Sequence, residues 1–329
     1  MVRYSDLILK SRIFEKILFD VKSGSLGHCY LLVSTDSVAV KEFFTLVSCA
    51  IFCENEVCLN CVECMRVLSG NNVDILSVQP SKNKNYVLAD IEPIIKGVYE
   101  KAYMGGKKLY FIHNADKMKP ELQNKLLKIL EEPPKDVHFF ISTTTEGAIL
   151  DTVKSRSRRI YMDYFETRDV ADALRQAFAK VDLRRIEIAA SCCGGSIAKA
   201  EQLIDDEDFY ERYTAVFQML VEVKRSSDVI KYAKTHLFDK DYILYTLEML
   251  ELILKDVLLV SSGLPTYIMR EKKTELIKLS EEYSVATICN IVEKINLARK
   301  KIKANCSSNA VGENLLYSIL EVRFRCQKL

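Results

Sequence analysis

The residues in this sequence best suited to chemistry are five cysteines crowded into a short segment. They follow the pattern Cys49-x3-Cys53-x4-Cys58-x2-Cys61-x2-Cys64. The two successive C-x2-C spacings bring thiolates close enough to share one ion, and a further upstream cysteine completes a tetrahedral set. All-sulfur ligation is typical of a structural Zn²⁺ site without an open catalytic position. The pattern therefore predicts a structural zinc site, with ordinary buried thiols or a redox pair as the alternatives.

A second segment stands where a nucleotide-binding loop would lie, between a predicted strand and a predicted helix. A working P-loop needs glycines that turn backbone N–H groups toward phosphates, and a Lys followed by Ser or Thr. This segment contains no glycine, Val40 stands at the lysine position, and Lys41 stands at the hydroxyl position. The degenerate loop residues are Ser34, Ser37, Ala39, Val40 and Lys41. Asp36 adds negative charge where an anion would dock, and Asp36 or Ser37 is most simply interpreted as a helix N-cap.

The acidic pair of a nucleotide hydrolase is also missing. Carboxylates at the end of the strand predicted at 108–112 would hold Mg²⁺ and activate water. His113 and Asn114 occupy that place instead, and neither can act as the carboxylate base. We therefore expect no ATP to be bound by this chain in cis.

The elements that position these segments alternate between strands and helices. Short apolar runs predict strands at 29–33, 73–78, 108–112 and 137–143, and helical spacing predicts helices at 38–52, 91–103 and 119–132. This alternation predicts a mostly parallel, doubly wound sheet. After Tyr164 the strand signals fade. A helical unit at 167–203, broken at Gly194–Gly195, is then followed by a helical pattern from about Asp208 to the end.

The bulk composition is that of an ordinary globular protein of two or three domains. The 329 residues are 49% hydrophobic and 28% charged, and the net charge is +2, so any nucleic-acid contact would need a local basic patch. The eleven cysteines are an odd number and no signal peptide is visible, which argues against a disulfide framework. No apolar run is long enough to span a bilayer, and we expect a cytoplasmic protein without a membrane partner.

Several motifs together point to one family. The most specific stretch begins with ADKM at Ala115 and continues to LLKILEEPP, which ends at Pro134. Further motifs are GHCYL at 27–31, SGNNVD at 69–74 and TVKSRS at 152–157. This combination resembles the AAA+ clamp loaders of bacterial DNA polymerase III, and among them the delta-prime subunits. The resemblance covers nearly the whole chain and is most specific up to about Ile160.

The resemblance implies a role for Arg156. Ser155-Arg156-Ser157 occupies the place of the family's Ser-Arg-Cys motif, whose arginine reaches the γ-phosphate of ATP on a neighbouring subunit. A guanidinium suits this role because it is always charged and can bind phosphate oxygens through two N–H groups. The chain would then be no enzyme by itself but a part of the DNA polymerase III holoenzyme. Without the family context, Arg156 would be interpreted as a surface residue in a basic run.

The resemblance also refines the interpretation of the ATP site and of the cysteine cluster. Ala198 stands where the family's ATPases carry an arginine that touches ATP, so three parts of an ATP site are missing, which favours delta-prime over gamma/tau subunits. In the cysteine cluster, Cys53 aligns with the family's first ligand. The expected ligands are therefore Cys53, Cys58, Cys61 and Cys64, with Cys49 as the second choice for the first position.

These inferences combine into an expected architecture and assembly. We expect a RecA-like AAA+ domain at 1–165 with a zinc module at about 49–66, a small helical lid at 166–207 and a helical collar at 208–329. The expected partners are gamma/tau and delta subunits, with the sliding clamp and primer-template DNA reached through the assembled complex during DNA replication. The expected location is the bacterial cytoplasm, with the nucleoid-associated replication machinery. The alternatives are an ATP-hydrolysing gamma/tau-like subunit and a stand-alone zinc-containing DNA-binding protein.

Overall fold

The computed structural model describes residues 3–80, 85–104, 106–264 and 272–326, without the side chains of residues 325 and 326. The chain divides into two compact units. The first comprises Met1–Ile186 and Cys193–Glu201, and the second comprises Glu187–Cys192 and Gln202–Leu329. The three-domain division at 165 and 207 stays a prediction.

A five-stranded parallel sheet forms the centre of the first unit. Its strands are β1 (Cys29–Val33), β2 (Ile75–Val78), β3 (Lys108–Ile112), β4 (Val137–Thr143) and β5 (Arg158–Tyr161). The order across the sheet is β2-β3-β4-β1-β5, and every neighbouring pair is parallel. Strands β3 and β4 are buried along their whole length, as expected where helices cover both faces of a parallel sheet. The predicted parallel α/β fold is confirmed.

The first unit contains the helices α1 (Ser5–Leu9), α2 (Arg12–Lys22), α3 (Ser37–Phe52), α4 (Val62–Leu68), α5 (Leu88–Gly97), α6 (Pro120–Glu131), α7 (Asp151–Lys154) and α8 (Thr167–Ala177). Helices α9 (Leu183–Cys192) and α10 (Ile197–Asp205) each have residues in both units. Helix α3 packs on the sheet through Phe44, whose ring stacks on Phe111 of β3 with centroids 4.7 Å apart. Phe44 also lies 6.1 Å from Phe140 of β4, so these aromatic contacts hold α3 against β3 and β4.

Some elements differ from the sequence expectation; the strand predicted at 73–78, for example, is β2, which begins at Ile75. The helix predicted at 91–103 is α5, which begins at Leu88 and ends at Gly97. Its start is fixed by Asp90, whose carboxylate accepts the backbone N–H of Val87 at 2.8 Å, and it ends at glycine, a weak helix former. Strand β5 was not predicted, because Ile160 is its only buried residue and the rest of its short sequence is polar or exposed.

The second unit is helical throughout its described part. Its helices are α11 (Phe209–Glu222), α12 (Ser226–Ala233), α13 (Ile243–Ser261), α14 (Lys273–Glu282), α15 (Val285–Lys303) and α16 (Ser308–Cys326). Helix α13 is buried on most of its surface and forms the centre of the core. Gly312 of α16 lies so close to the Phe238 ring that a side chain there would overlap it. None of the described helices combines the length and apolar character needed to cross a bilayer.

Candidate functional site

Four cysteine sulfurs meet where α3 ends and α4 begins. The Sγ atoms of Cys53, Cys58, Cys61 and Cys64 all lie within 4.8 Å of one another. Individual separations are 3.5 Å from Cys53 to Cys58, 3.7 Å from Cys53 to Cys61 and 4.0 Å from Cys58 to Cys64. Sulfurs bound tetrahedrally at roughly 2.3 Å from one zinc ion would lie roughly 3.8 Å apart. The four thiols therefore fit a single metal ion.

Backbone N–H groups prepare these sulfurs to be ligands. Cys58 Sγ accepts the N–H of Cys61 at 3.3 Å, and Cys61 Sγ accepts the N–H of Cys64 at 3.4 Å, which also caps α4. The pKa of Cys58 is lowered to about 6, because the backbone N–H groups of Asn60 and Cys61 hydrogen-bond its sulfur. Since the thiolate is the metal-binding form, this lowered pKa favours ligation by Cys58, whereas burial raises the pKa of the Cys53 and Cys64 thiols.

Cys49 lies one turn earlier on α3 and outside this group of four. Its side chain is fully buried, and burial raises the pKa of its thiol to about 11. Cys53, by contrast, is the first residue after α3, and its sulfur lies 3.5 and 3.7 Å from those of Cys58 and Cys61. The geometry thus brings together the four expected ligands and leaves the second choice beside them.

The degenerate nucleotide loop is folded as an ordinary strand–helix connection. Ser34 extends the sheet by donating its N–H to the Thr143 carbonyl at 3.0 Å. Ser37 begins α3 and is exposed, whereas Ala39 and Val40 are buried in the helix packing. Lys41 is also exposed. The connection therefore lacks the side chains with which a P-loop binds phosphate.

Asp36 occupies the N-terminus of α3. Its carboxylate accepts the backbone N–H groups of Val38 at 3.1 Å and Ala39 at 2.9 Å, so the predicted N-cap is confirmed. The same carboxylate accepts hydrogen bonds from the start of α10, which the sequence did not indicate. Its donors there are the Ser196 hydroxyl and the N–H groups of Ile197 and Ala198.

His113 and Asn114 follow β3, as predicted. Burial, and then the charge of Lys41, lower the pKa of His113 to about 4, so its imidazole is neutral at physiological pH. One ring nitrogen lies 3.0 Å from the Ser77 hydroxyl. Asn114 has a left-handed backbone, with φ of 51°, and donates its N–H to the Ser142 hydroxyl at 3.1 Å. Both residues thus have local structural partners.

A nearby carboxylate that sequence reasoning did not single out is Asp116. It accepts hydrogen bonds from the Thr143 hydroxyl at 3.2 Å and from the N–H and hydroxyl of Thr144 at 3.0 and 3.1 Å. These contacts tie the ADKM motif to the end of β4. Asp116 therefore stabilises the turn that follows β4.

Arg156 lies on the surface just after α7. Its guanidinium donates to the Thr152 carbonyl at 2.8 Å and to the Glu131 carboxylate at 2.5 Å, with about a third of its side chain exposed. Glu131 is the last residue of α6. The flanking serines bond to α7: Ser155 donates to Thr152 and Ser157 to Val153. The serines therefore fix the backbone from which Arg156 projects.

The chain thus comprises a parallel α/β domain, in which a strand–helix connection lacks phosphate-binding side chains, and a helical unit. Residues 9–166 match the family described as "DNA polymerase III, delta subunit". DNA polymerase III subunit delta' of Bacillus subtilis (strain 168) is 24% identical over 95% of this chain and 97% of its own length. Subunit delta' of Escherichia coli (strain K12) is 27% identical over 45% of this chain and 46% of its own. The resemblance to delta-prime subunits is confirmed.

Among solved structures, a DNA polymerase III gamma subunit-related protein of Thermotoga maritima matches with a TM-score of 0.42. It is 18% identical, and the match covers 94% of this chain and 99% of that one.

Proposed function

We propose that this chain is a delta-prime-like subunit of a DNA polymerase III clamp loader, and that it supplies Arg156 to the ATP site of a neighbouring gamma/tau-type subunit. Together with a delta-type subunit, the complex would open a sliding clamp and place it on primed DNA. The observation that carries this proposal is the contrast between two sites. Arg156 is held at the surface within a motif of the family, whereas Asp36 fills the chain's own anion position.

The surroundings of Arg156 suit transfer to a phosphate. Its ion pair with Glu131 is exposed to solvent on both sides. Exposed pairs of this kind contribute less than about 1 kcal/mol. A γ-phosphate offers the same guanidinium a charge-assisted, two-point contact. Exchange of Glu131 for phosphate in an assembled complex is therefore inexpensive in free energy.

Glu131 should compete with the phosphate for this arginine. Replacing Glu131 with Gln should raise ATP turnover by the reconstituted complex, by up to about fivefold, because the guanidinium no longer has to leave a charged partner to reach the phosphate. Glu132→Gln is the matched control, since Glu132 is the adjacent exposed carboxylate, and it should leave turnover unchanged. Steady-state ATPase assays with clamp and primed DNA measure the effect. Equal rates for Glu131→Gln and wild type would remove Glu131 from the mechanism.

The isolated chain should not bind ATP. The cavity at the carboxyl ends of β1 and β4 has a volume of about 210 Å³, below the roughly 300–1,000 Å³ of typical ligand sites. Val40 offers no ammonium group, and the N-terminus of α3 already bonds Asp36. Calorimetric titration with ATP and Mg²⁺ should give no heat of binding and the chain should release no phosphate. Saturable binding or turnover would instead support a gamma/tau-like ATPase.

We also propose that Cys53, Cys58, Cys61 and Cys64 hold one Zn²⁺ ion. The ion would supply structural cross-linking, joining the end of α3 to the start of α4. With all four positions taken by thiolates, it would have no place for a substrate. Gel filtration and thiol-reactivity assays of the metal-bound chain would report this role directly.

The experiment that tests the proposed function is reconstitution with cognate gamma/tau and delta subunits, clamp and primed DNA. Clamp loading and ATP turnover should be lost when this chain is omitted and restored when it is added. Full activity without it would refute the proposal. A stand-alone DNA-binding protein would instead show strong binding of the isolated chain to DNA with a steep dependence on salt.

A further inference from the structure

One carboxylate joins the N-termini of two helices that are far apart in the sequence. Asp36 is 4% exposed and accepts five hydrogen bonds. Two come from the first turn of α3, and three come from the start of α10, at 3.1 Å from the Ser196 hydroxyl, 2.5 Å from the Ile197 N–H and 3.2 Å from the Ala198 N–H. All of these residues belong to the first compact unit.

Two converging helix N-termini form an anion site on elementary grounds. Each N-terminus has N–H groups without partners in its own helix and carries roughly half a positive charge from the macrodipole. Together they would neutralise roughly one negative charge, which is what a single carboxylate supplies. Helix N-termini bind phosphate for the same reason. In this chain the anion is part of the polypeptide itself.

The turn before α10 holds this arrangement in place. Gly194 and Gly195 both adopt left-handed conformations, with φ of 62° and 84°. A Cβ atom on Gly195 would lie 2.4 Å from the carbonyl oxygen of Phe165. The Gly195 carbonyl also accepts the Phe165 N–H at 3.1 Å. The turn is therefore packed tightly against the segment after β5, and only glycine allows that approach.

We propose that Asp36 is a built-in substitute for the phosphate of a bound nucleotide. Its carboxylate fills the anion position between α3 and α10 and fastens residues 193–201 to the α/β domain permanently. The position of this segment is consequently independent of nucleotide, and free phosphate has no access to the two helix ends. This inference does not depend on the role of Arg156, because every contact in it lies within the isolated chain.

Hydrogen exchange of the isolated full chain tests the proposal. Asp36→Ala should speed amide exchange in peptides covering residues 193–201 and the first turn of α3 by at least about tenfold, since both helix ends lose an anionic partner. Asp36→Asn should keep the α3 cap, because asparagine is a good N-cap, but should speed exchange at Ile197 and Ala198. Ser37→Ala, at an exposed neighbouring position, should change neither.

Adding inorganic phosphate tests whether Asp36 occupies a phosphate position or only caps a helix. In wild type, excess inorganic phosphate should leave exchange of residues 193–201 unchanged. Asp36→Gly removes the side chain from the space between the two helix ends. In this variant, phosphate should slow the exchange of residues 193–201 back toward the wild-type rate. Wild-type exchange rates in folded Asp36→Ala and Asp36→Asn would overturn the fastening role. If added phosphate does not slow exchange in folded Asp36→Gly, the proposal that the Asp36 carboxylate replaces a phosphate is wrong.

Discussion

Replacing Arg156 with Ala should lower hydrolysis at the adjacent ATP site by about 10³-fold or more, the usual contribution of an arginine finger. The physical reason is that a guanidinium neutralises charge on the transferring phosphoryl group, and alanine leaves that charge unpaired. A reconstituted complex in which only the site next to this chain is competent gives the cleanest measurement. Single-turnover ATP hydrolysis then reports that one site.

The same substitution should not unfold the protein. Arg156 is partly exposed, and its carboxylate partner is exposed as well, so loss of the pair costs less than about 1 kcal/mol. The melting temperature of the isolated Arg156→Ala chain should therefore match wild type within roughly 2 °C. A large loss of turnover with unchanged stability separates a functional role from a structural one.

Two further variants define the chemistry of this position. Arg156→Lys keeps the charge but loses the planar two-point contact, so most of the activity should still be lost. Arg159→Ala removes a nearby arginine that pairs with Glu146 at 3.1 Å, and turnover should remain at the wild-type rate. If the complex that contains the Arg156→Ala chain hydrolyses ATP at the wild-type rate, this chain is not the donor of the finger.

Local sequence patterns were sufficient for the elements that carry the sites. Strands β1, β3 and β4 coincide with their predicted ranges, because each contains an apolar run that is buried in the sheet. The cysteine spacing likewise identified a group of thiols that the fold brings together, because its ligands lie within one short segment. What is encoded locally can be predicted from a single sequence.

The remaining features depend on contacts between distant residues. Asp36 is recognisable as an N-cap of α3, but its partner Ile197 is 161 positions away, so no local pattern reveals the second helix. The pairing of Arg156 with Glu131 depends in the same way on how α6 and α7 pack. Strand β5 is recognisable only beside β1, where Ile160 pairs with Leu32. Tertiary structure determines each of these.

The second large expected effect concerns which cysteine is the first zinc ligand. Cys53→Ala should abolish stoichiometric zinc binding, whereas Cys49→Ala should retain about one zinc ion per chain. The reason is geometric: the Cys53 sulfur lies 3.5 and 3.7 Å from the sulfurs of Cys58 and Cys61, and Cys49 lies outside the group of four. Metal analysis of chains purified under reducing conditions measures the difference.

The melting temperature should depend on whether zinc is bound. Zinc binding to a preformed site adds its free energy to folding, so Cys53→Ala or removal of zinc by a chelator should lower the melting temperature of the first unit by at least about 5 °C. Cys49→Ala serves as the matched control, since it also removes a buried thiol from α3 but leaves the four ligands intact. Its melting temperature should fall less and should still respond to the chelator.

The two variants also distinguish the remaining possibilities. Zinc retained by Cys53→Ala and lost by Cys49→Ala would assign the first ligand to Cys49 and require the end of α3 to rearrange. Wild-type protein that takes up no zinc under reducing conditions would make the cluster a set of buried thiols. In that case Cys58, whose pKa is lowered to about 6 by backbone N–H groups, would be the thiol most readily alkylated, because the thiolate is the reactive form.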